Sequence, residues 1–197
     1  MLQITSFVPW TRAAASDTAA LLARLVRGDP AALDLLYRRE AAAVYRYAMA
    51  MAGDAAAAAD ATHDAFVALA ARPQGFDAAR GELGAYLAGI ARHSLLALRR
   101  VVCEPLDDEA VDVSDVDSSP EEMHVRRQGR EALWRAIGAL PWAQREALVL
   151  VDLQERPYSQ AAAIAGCELN TLRTRLHRAR QRLAALLGRV QQEVPHE

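Results

Sequence analysis

The sequence predicts an all-α protein made of two small helical domains joined by a flexible acidic linker, the C-terminal one a helix-turn-helix. Three observations carry that expectation. Alanine is abundant, glycine and proline number only 10 and 8 in 197 residues, and long stretches repeat apolar residues at helical spacing. Residues 101–122 hold Glu104, Asp107, Asp108, Glu109, Asp112, Asp115, Asp117, Glu121 and Glu122 beside Pro105 and Pro120, with no arginine. Such a stretch has too little apolar surface to build a core. Finally, Pro157 to Arg182 reads as a short Ala-rich helix, a glycine turn and a longer Arg-rich helix. At 197 residues the chain allows one medium domain or two small ones, each near the lower limit for a core of its own.

Residues 1–17 read as a disordered lead, in which Phe7, Val8 and Trp10 are stray apolar side chains. The first domain spans 18–100. Its first helix, Thr18 to Arg27, is expected to bury Leu21, Leu22, Leu25 and Val26 and to end at Gly28. Asp29 caps the second helix with Pro30 in its first turn, where the missing N–H costs nothing. That helix is expected to bury Leu33, Leu36, Tyr37, Val44, Tyr45 and Ala48 and to stop near Gly53-Asp54. The third, Ala55 to Ala71, buries Ala61, Ala65, Phe66 and Leu69 and turns Asp60, His63 and Asp64 outward. A loop through Arg72-Pro73-Gln74-Gly75-Phe76-Asp77 follows. The fourth helix, Glu82 to Arg100, buries Leu83, Leu87, Ile90, Leu95 and Leu98 and presents Arg92, His93, Arg99 and Arg100.

After the linker at 101–122, the second domain occupies 123–190. A helix from Glu121 to Ala139 is expected to bury Val125, Leu133, Trp134 and Ile137. Pro141 opens the next, which buries Ala147, Leu148, Val151 and Leu153. The helix at Tyr158 to Ala165, with Ser159 as its expected N-cap, ends at Gly166, the residue that takes a left-handed conformation without a Cβ penalty. From Leu169 onward, Leu169, Leu172, Leu176, Ala179 and Leu183 form one apolar stripe. Opposite it lie Asn170, Thr171, Thr174, His177, Arg178 and Gln181, flanked by Arg173, Arg175, Arg180 and Arg182. No acidic side chain occurs between Leu169 and Gln192. Hydrogen-bonding groups along the middle of a face, with guanidinium groups at its edges, suit a helix laid in a DNA major groove. The middle reads base edges and the flanks hold phosphates.

The net charge of −2 hides an uneven distribution. Setting the acidic linker aside leaves both flanking parts basic, and local field governs contact with DNA. All 23 basic residues are arginine, the better bidentate partner for phosphate and guanine. Cys103 and Cys167 make no ligand spacing, and reduced thiols in a cytoplasmic protein are expected. The N-terminus has no signal-peptide pattern, and charged residues interrupt the Ala-rich stretch 48–71, against insertion in a membrane. Asp60, His63 and Asp64 share neighbouring turns but lack a fourth ligand, so no metal is expected. Nor is a cofactor, since no phosphate cradle, metalloprotease motif or nucleophile–base pair is present.

The chain resembles bacterial extracytoplasmic-function sigma factors over Thr18 to Leu187. In the first domain the resemblance rests on Gly28-Asp29, Leu36-Tyr37, Tyr45-Arg46, Gly53-Asp54, Asp60, Phe66, Phe76-Asp77, Arg80-Gly81, Ile90-Ala91-Arg92 and Arg99-Arg100. In the second it rests on Leu140-Pro141, Arg145, Tyr158, Gly166, Thr171 and Arg175-Leu176-His177-Arg178-Ala179-Arg180. The chain departs from the family pattern at Glu168, Asn170, His93, Ala70 and Tyr86, and Asp60–Asp64 is a weak form of the acidic polymerase-binding segment.

The resemblance implies a promoter-specificity subunit of RNA polymerase, not an enzyme. Asp60, His63 and Asp64 would bind core polymerase. Gln74, Phe76, Arg80, Arg92, His93, Arg99 and Arg100 would meet the melted −10 element. Asn170, Thr171, Arg173, Thr174, Arg175, His177, Arg178 and Arg182 would read duplex −35 DNA. It also implies a cytoplasmic monomer held by an anti-sigma factor, membrane-bound or not. Two other readings stay open from the residues: a helix-turn-helix regulator that does not bind polymerase, and a sigma-like decoy that binds a regulator.

Overall fold

The first three helices of the N-terminal half start or stop on residues whose chemistry requires it. A computed structural model describes residues 15–77, 81–102 and 121–192. Helix α1 (Ala15–Val26) ends at Gly28, with φ at +83°. Asp29 accepts a hydrogen bond from the Ala31 amide at 3.0 Å and so caps α2 (Pro30–Ala52). Gly53 closes α2 in the left-handed region. Asp54 accepts from the Ala57 amide at 2.7 Å and starts α3 (Ala55–Ala71). A 3-10 turn over Pro73–Gly75 leads toward α4 (Leu83–Val102).

The C-terminal half comprises α5 (Glu121–Gly138), α6 (Trp142–Leu148), a π-helical turn over Val149–Leu153, α7 (Tyr158–Ala165) and α8 (Leu169–Gln192). No strand occurs among the described residues. The helices of α4 and α5 enter the expected linker by two residues at each end, and 103–120 lie outside the described residues. The expected N-terminal lead likewise gives up residues 15–17 to α1.

Several side chains expected in the core are not there. Along α2 the buried stripe is Leu36, Glu40, Ala43, Val44, Tyr47, Ala48 and Met51, at steps of three and four. That phase leaves Tyr37 and Tyr45 exposed and buries Tyr47 instead. Val26 closes α1 at the Gly28 turn and Leu98 lies past the last buried residue of α4; both are exposed. Trp134 is exposed because the α5 stripe runs through Ala132, Leu133, Ala136 and Ile137. Leu21, Leu25, Leu33, Ile90, Leu133, Val151 and Leu153 are only half-buried. Ser159 is not the N-cap of α7: Pro157 holds that position without a side-chain hydrogen bond, and Ser159 lies inside the helix. The side chain of Val125 lies outside the described residues.

The two halves do not stand apart. One continuous core runs from Leu36, Val44 and Met51 through Leu87 and Ala91 to Leu148, Ile164, Leu172 and Leu176. Helix α4 lies against α7, and α2 touches α6 and the π-helical turn. Polar groups pin this seam. Arg145 Nη1 donates to the Met51 carbonyl at 2.9 Å, and Gln154 Nε2 to the Ala43 carbonyl at 3.2 Å. Met51 is in the last turn of α2, where carbonyls lack helical partners, so a guanidinium there satisfies an orphan acceptor. The other arm of Arg145 donates to the carbonyls of Gly138 and Leu140, across the α5–α6 turn.

Candidate nucleic-acid interface

The turn between α7 and α8 forms as its residues require. Gly166 sits at φ 60°, ψ 41°, and its amide closes the last turn of α7. Leu172, Leu176 and Ala179 then bury one side of α8, with Leu169 and Leu183 packed at the edge. The opposite side is open: Asn170, Thr171, Arg173, Thr174, His177, Arg178, Gln181 and Arg182 are exposed, and Arg175 is half-buried. Several of these side chains are already oriented. Thr174 Oγ1 donates back to the Asn170 carbonyl at 3.0 Å. Arg173 donates to Asn170 Oδ1 at 3.3 Å and lies 5.9 Å from the Tyr158 ring centroid. Arg180 is committed to a bidentate pair with Asp152, at 2.9 and 2.6 Å, which ties α8 to the π-helical turn.

The second expected surface, on α4 and the loop before it, is arranged differently. Gln74 is exposed on the 3-10 turn. Phe76 is half-buried, its ring 5.6 Å from that of Tyr86. Arg80 lies outside the described residues. His93 is exposed, and its Nδ1 donates to the Gly89 carbonyl at 2.8 Å. Arg100 is exposed. Arg92 and Arg99, by contrast, face the C-terminal half. Arg92 Nε donates to Glu146 Oε1 at 2.7 Å, and a Cβ at Gly166 would stand 3.9 Å from Arg92 Nη1. Arg99 lies over the Trp142 ring at 5.7 Å.

Elsewhere on the N-terminal half, Asp60, His63 and Asp64 are exposed along α3, as expected. Tyr37, Ala41, Ala42, Tyr45, Ala59 and Thr62 line a shallow groove between α2 and α3, of about 360 Å³. Tyr37 leans on Phe66 with ring centroids 4.7 Å apart. The acidic face and an apolar aromatic groove therefore adjoin.

Sequence reasoning missed the polar cluster under Arg92. Glu146 is fully buried, and its Oε1 also accepts from the Tyr47 hydroxyl at 2.7 Å. Burial and the neighbouring carboxylate push the Tyr47 phenol well above its ordinary value. Nearby, Arg156 is buried, bonded to Gln154 and Gln160, and burial brings its guanidinium down to about 10. Glu40, also buried, is raised by desolvation despite Arg39 at 2.9 Å. An acid set directly before the apolar run Ala147–Val151 is the only signal Glu146 leaves in the sequence. Its partners lie 99 and 54 residues away.

Residues 36–101 match the family described as Sigma-70 region 2, and residues 130–183 match Sigma-70, region 4. The chain is 32% identical over 170 residues to the ECF RNA polymerase sigma factor SigE of Mycolicibacterium smegmatis, covering 82% of this chain and 65% of that protein. It is 34% identical over 178 residues to the ECF sigma factor SigM of Mycobacterium tuberculosis, covering 87% and 85%. The sigma factor RpoE of Bartonella quintana, solved in complex with the anti-sigma factor NepR, has the same fold. The TM-score is 0.61 at 24% identity, over 79% of this chain and 96% of that one. Two sigma-70 regions in this order, together covering most of the helical chain, show that it belongs to the ECF RNA polymerase sigma factor family.

Proposed function

We propose that the chain is an alternative sigma factor that binds core RNA polymerase and directs initiation at its own promoters, without catalytic chemistry. The observation that carries the reading is the exposed face of α8. It presents Asn170, Thr174, His177 and Arg178 along its centre and guanidinium groups at its edges, on a stripe held by Leu172 and Leu176. In this reading 123–190 binds the −35 element and 18–100 binds polymerase and the melted −10 element. Asp60, His63 and Asp64 with the Tyr37–Tyr45 groove form the polymerase surface. Gln74, Phe76, Arg80, Arg92, His93, Arg99 and Arg100 meet the opened strand, in which extruding a base costs a few kcal/mol that its pocket must offset.

The complex of the Bartonella relative supports an anti-sigma factor as a further partner. No helix among the described residues is long and apolar enough to cross a membrane, and the family's work with polymerase supports a cytoplasmic site of action. Core polymerase plus the purified protein, given fragmented genomic DNA from its source, should start transcripts at a small set of sites absent with core alone. Transcripts that are identical with and without the protein would contradict the reading and favour a regulator that works without polymerase.

A further inference from the structure

Two polar side chains in the first turn of α8 are joined before any DNA arrives. Arg173 Nη1 donates to Asn170 Oδ1 at 3.3 Å, one turn back on the same helix. A guanidinium can only donate, so the Asn170 atom that faces it is the oxygen, and the orientation of the amide follows. From α7, the ring of Tyr158 lies beneath the same guanidinium, its centroid 5.9 Å from Arg173 Cζ. A second helix therefore supports the arrangement. Asn170 and Arg173 are both exposed, free to meet a groove. Asn170 is also a position at which the chain departs from its family's pattern, so the pairing is a feature of this chain.

The pairing changes what Asn170 can read. An unattached asparagine in the major groove matches adenine: its oxygen accepts from N6 and its amide donates to N7. Here the oxygen already holds a cation. Its second lone pair is open, but a base amino group approaching it meets the positive charge of Arg173 at short range. The pair offers outward the Asn170 Nδ2 group and the remaining guanidinium N–H groups, all of them donors. Donation into Oδ1 also polarises the amide and strengthens Nδ2 as a donor. Among the base edges of the major groove, guanine is the one that sets two acceptors, N7 and O6, side by side. The placement fits as well. Helix α8 begins at Leu169, and the N-terminal residues of a recognition helix are those that reach base edges.

We propose that Asn170 and Arg173 act as one donor-only unit that selects guanine and rejects adenine, with Tyr158 as its positioning residue. The assignment rests on the reading of α8 as the −35 helix and names the base that one step of that site must present. Without Arg173, the same asparagine becomes an adenine reader. Without Asn170, the guanidinium loses the partner that aims it.

The test uses the full chain bound to core RNA polymerase and a pool of duplexes randomised over a tract long enough to hold a whole promoter; bound duplexes are recovered and sequenced. Wild type should enrich guanine at one base pair, and Asn170→Ala and Arg173→Ala should both alter the preference there. At that base pair Arg173→Ala should lower the guanine-to-adenine ratio by about tenfold or more, so that adenine is preferred. Asn170→Ala added to Arg173→Ala should erase the adenine preference, a reversal that neither misfolding nor a general loss of affinity produces. Tyr158→Leu should blunt the guanine preference by less and leave the other base pairs as they are. Arg173→Ala that weakens every duplex alike would assign the guanidinium to a phosphate and overturn the proposal. So would a wild type that already prefers adenine at the base pair set by Asn170, or Arg173→Ala with no gain of adenine. If wild type enriches no sequence at all, the reading of α8 itself falls, and the donor unit with it.

Discussion

Tyr47 and Glu146 meet at 2.7 Å across 99 positions of sequence, one from each half of the chain. A buried carboxylate–phenol bond is a cooperative feature, since removing either partner leaves the other desolvated and unmatched. A double-mutant cycle on Tyr47→Phe and Glu146→Gln, measured by denaturant unfolding, should therefore give a coupling of about 1–3 kcal/mol. Additive losses would show that the bond contributes nothing beyond its parts.

The same pair sets a pH response. The folded-state pKa of Tyr47 is raised well above 10.0, so its contribution to stability is complete below pH 10. It is lost as pH rises toward the folded value, by about 1.4 kcal/mol per pH unit. Tyrosinate absorbance should show a late-ionising phenol that is missing in Tyr47→Phe. Superimposable titrations of the two proteins would contradict the buried setting of this side chain.

Asp152 holds Arg180 in a bidentate pair, and in the proposed reading this keeps the guanidinium from the DNA backbone. The pair is partly exposed, so Asp152→Ala should cost under about 1 kcal/mol of stability. The freed guanidinium should tighten binding to duplex of any sequence and steepen the salt dependence by about one unit. An unchanged salt slope would mean that Arg180 does not face the backbone.

In the proposed reading, the exposed face of α8 divides readout from anchoring. Arg178→Ala and Arg173→Ala should lose discrimination among −35 variants, by about 1–3 kcal/mol at one position each. Arg182→Ala should weaken all sites alike. A library of variant sites bound at two salt concentrations decides between them. Altered preference in Arg182→Ala, with Arg178→Ala unaffected, would mean that α8 lies rotated in the groove.

Much of this was legible in the sequence because it is local. Asp29-Pro30, Gly53 and Gly166 mark helix ends through backbone chemistry that needs no distant partner. The alternation of Leu169, Leu172, Leu176 and Ala179 fixes which side of α8 is open. The placement of aromatic residues was harder. Tyr45 and Tyr47 are two residues apart on one helix, and only the phase of the stripe decides which is buried. The seam was not legible at all. Glu146, Gln154 and Arg156 look like surface residues until the other half of the chain is laid over them. For the same reason Arg92 and Arg99 read as free cations, although they face a carboxylate and an indole.

Binding to core RNA polymerase tests the central claim most directly. The purified chain, free of regulators, should co-elute with bacterial core enzyme as a stoichiometric complex. Asp60→Arg combined with Asp64→Arg, both on the exposed side of α3, should weaken that complex by reversing the charge of the contact while leaving the helical fold intact. A folded wild-type chain that fails to join the core enzyme would contradict the assignment as a promoter-specificity subunit.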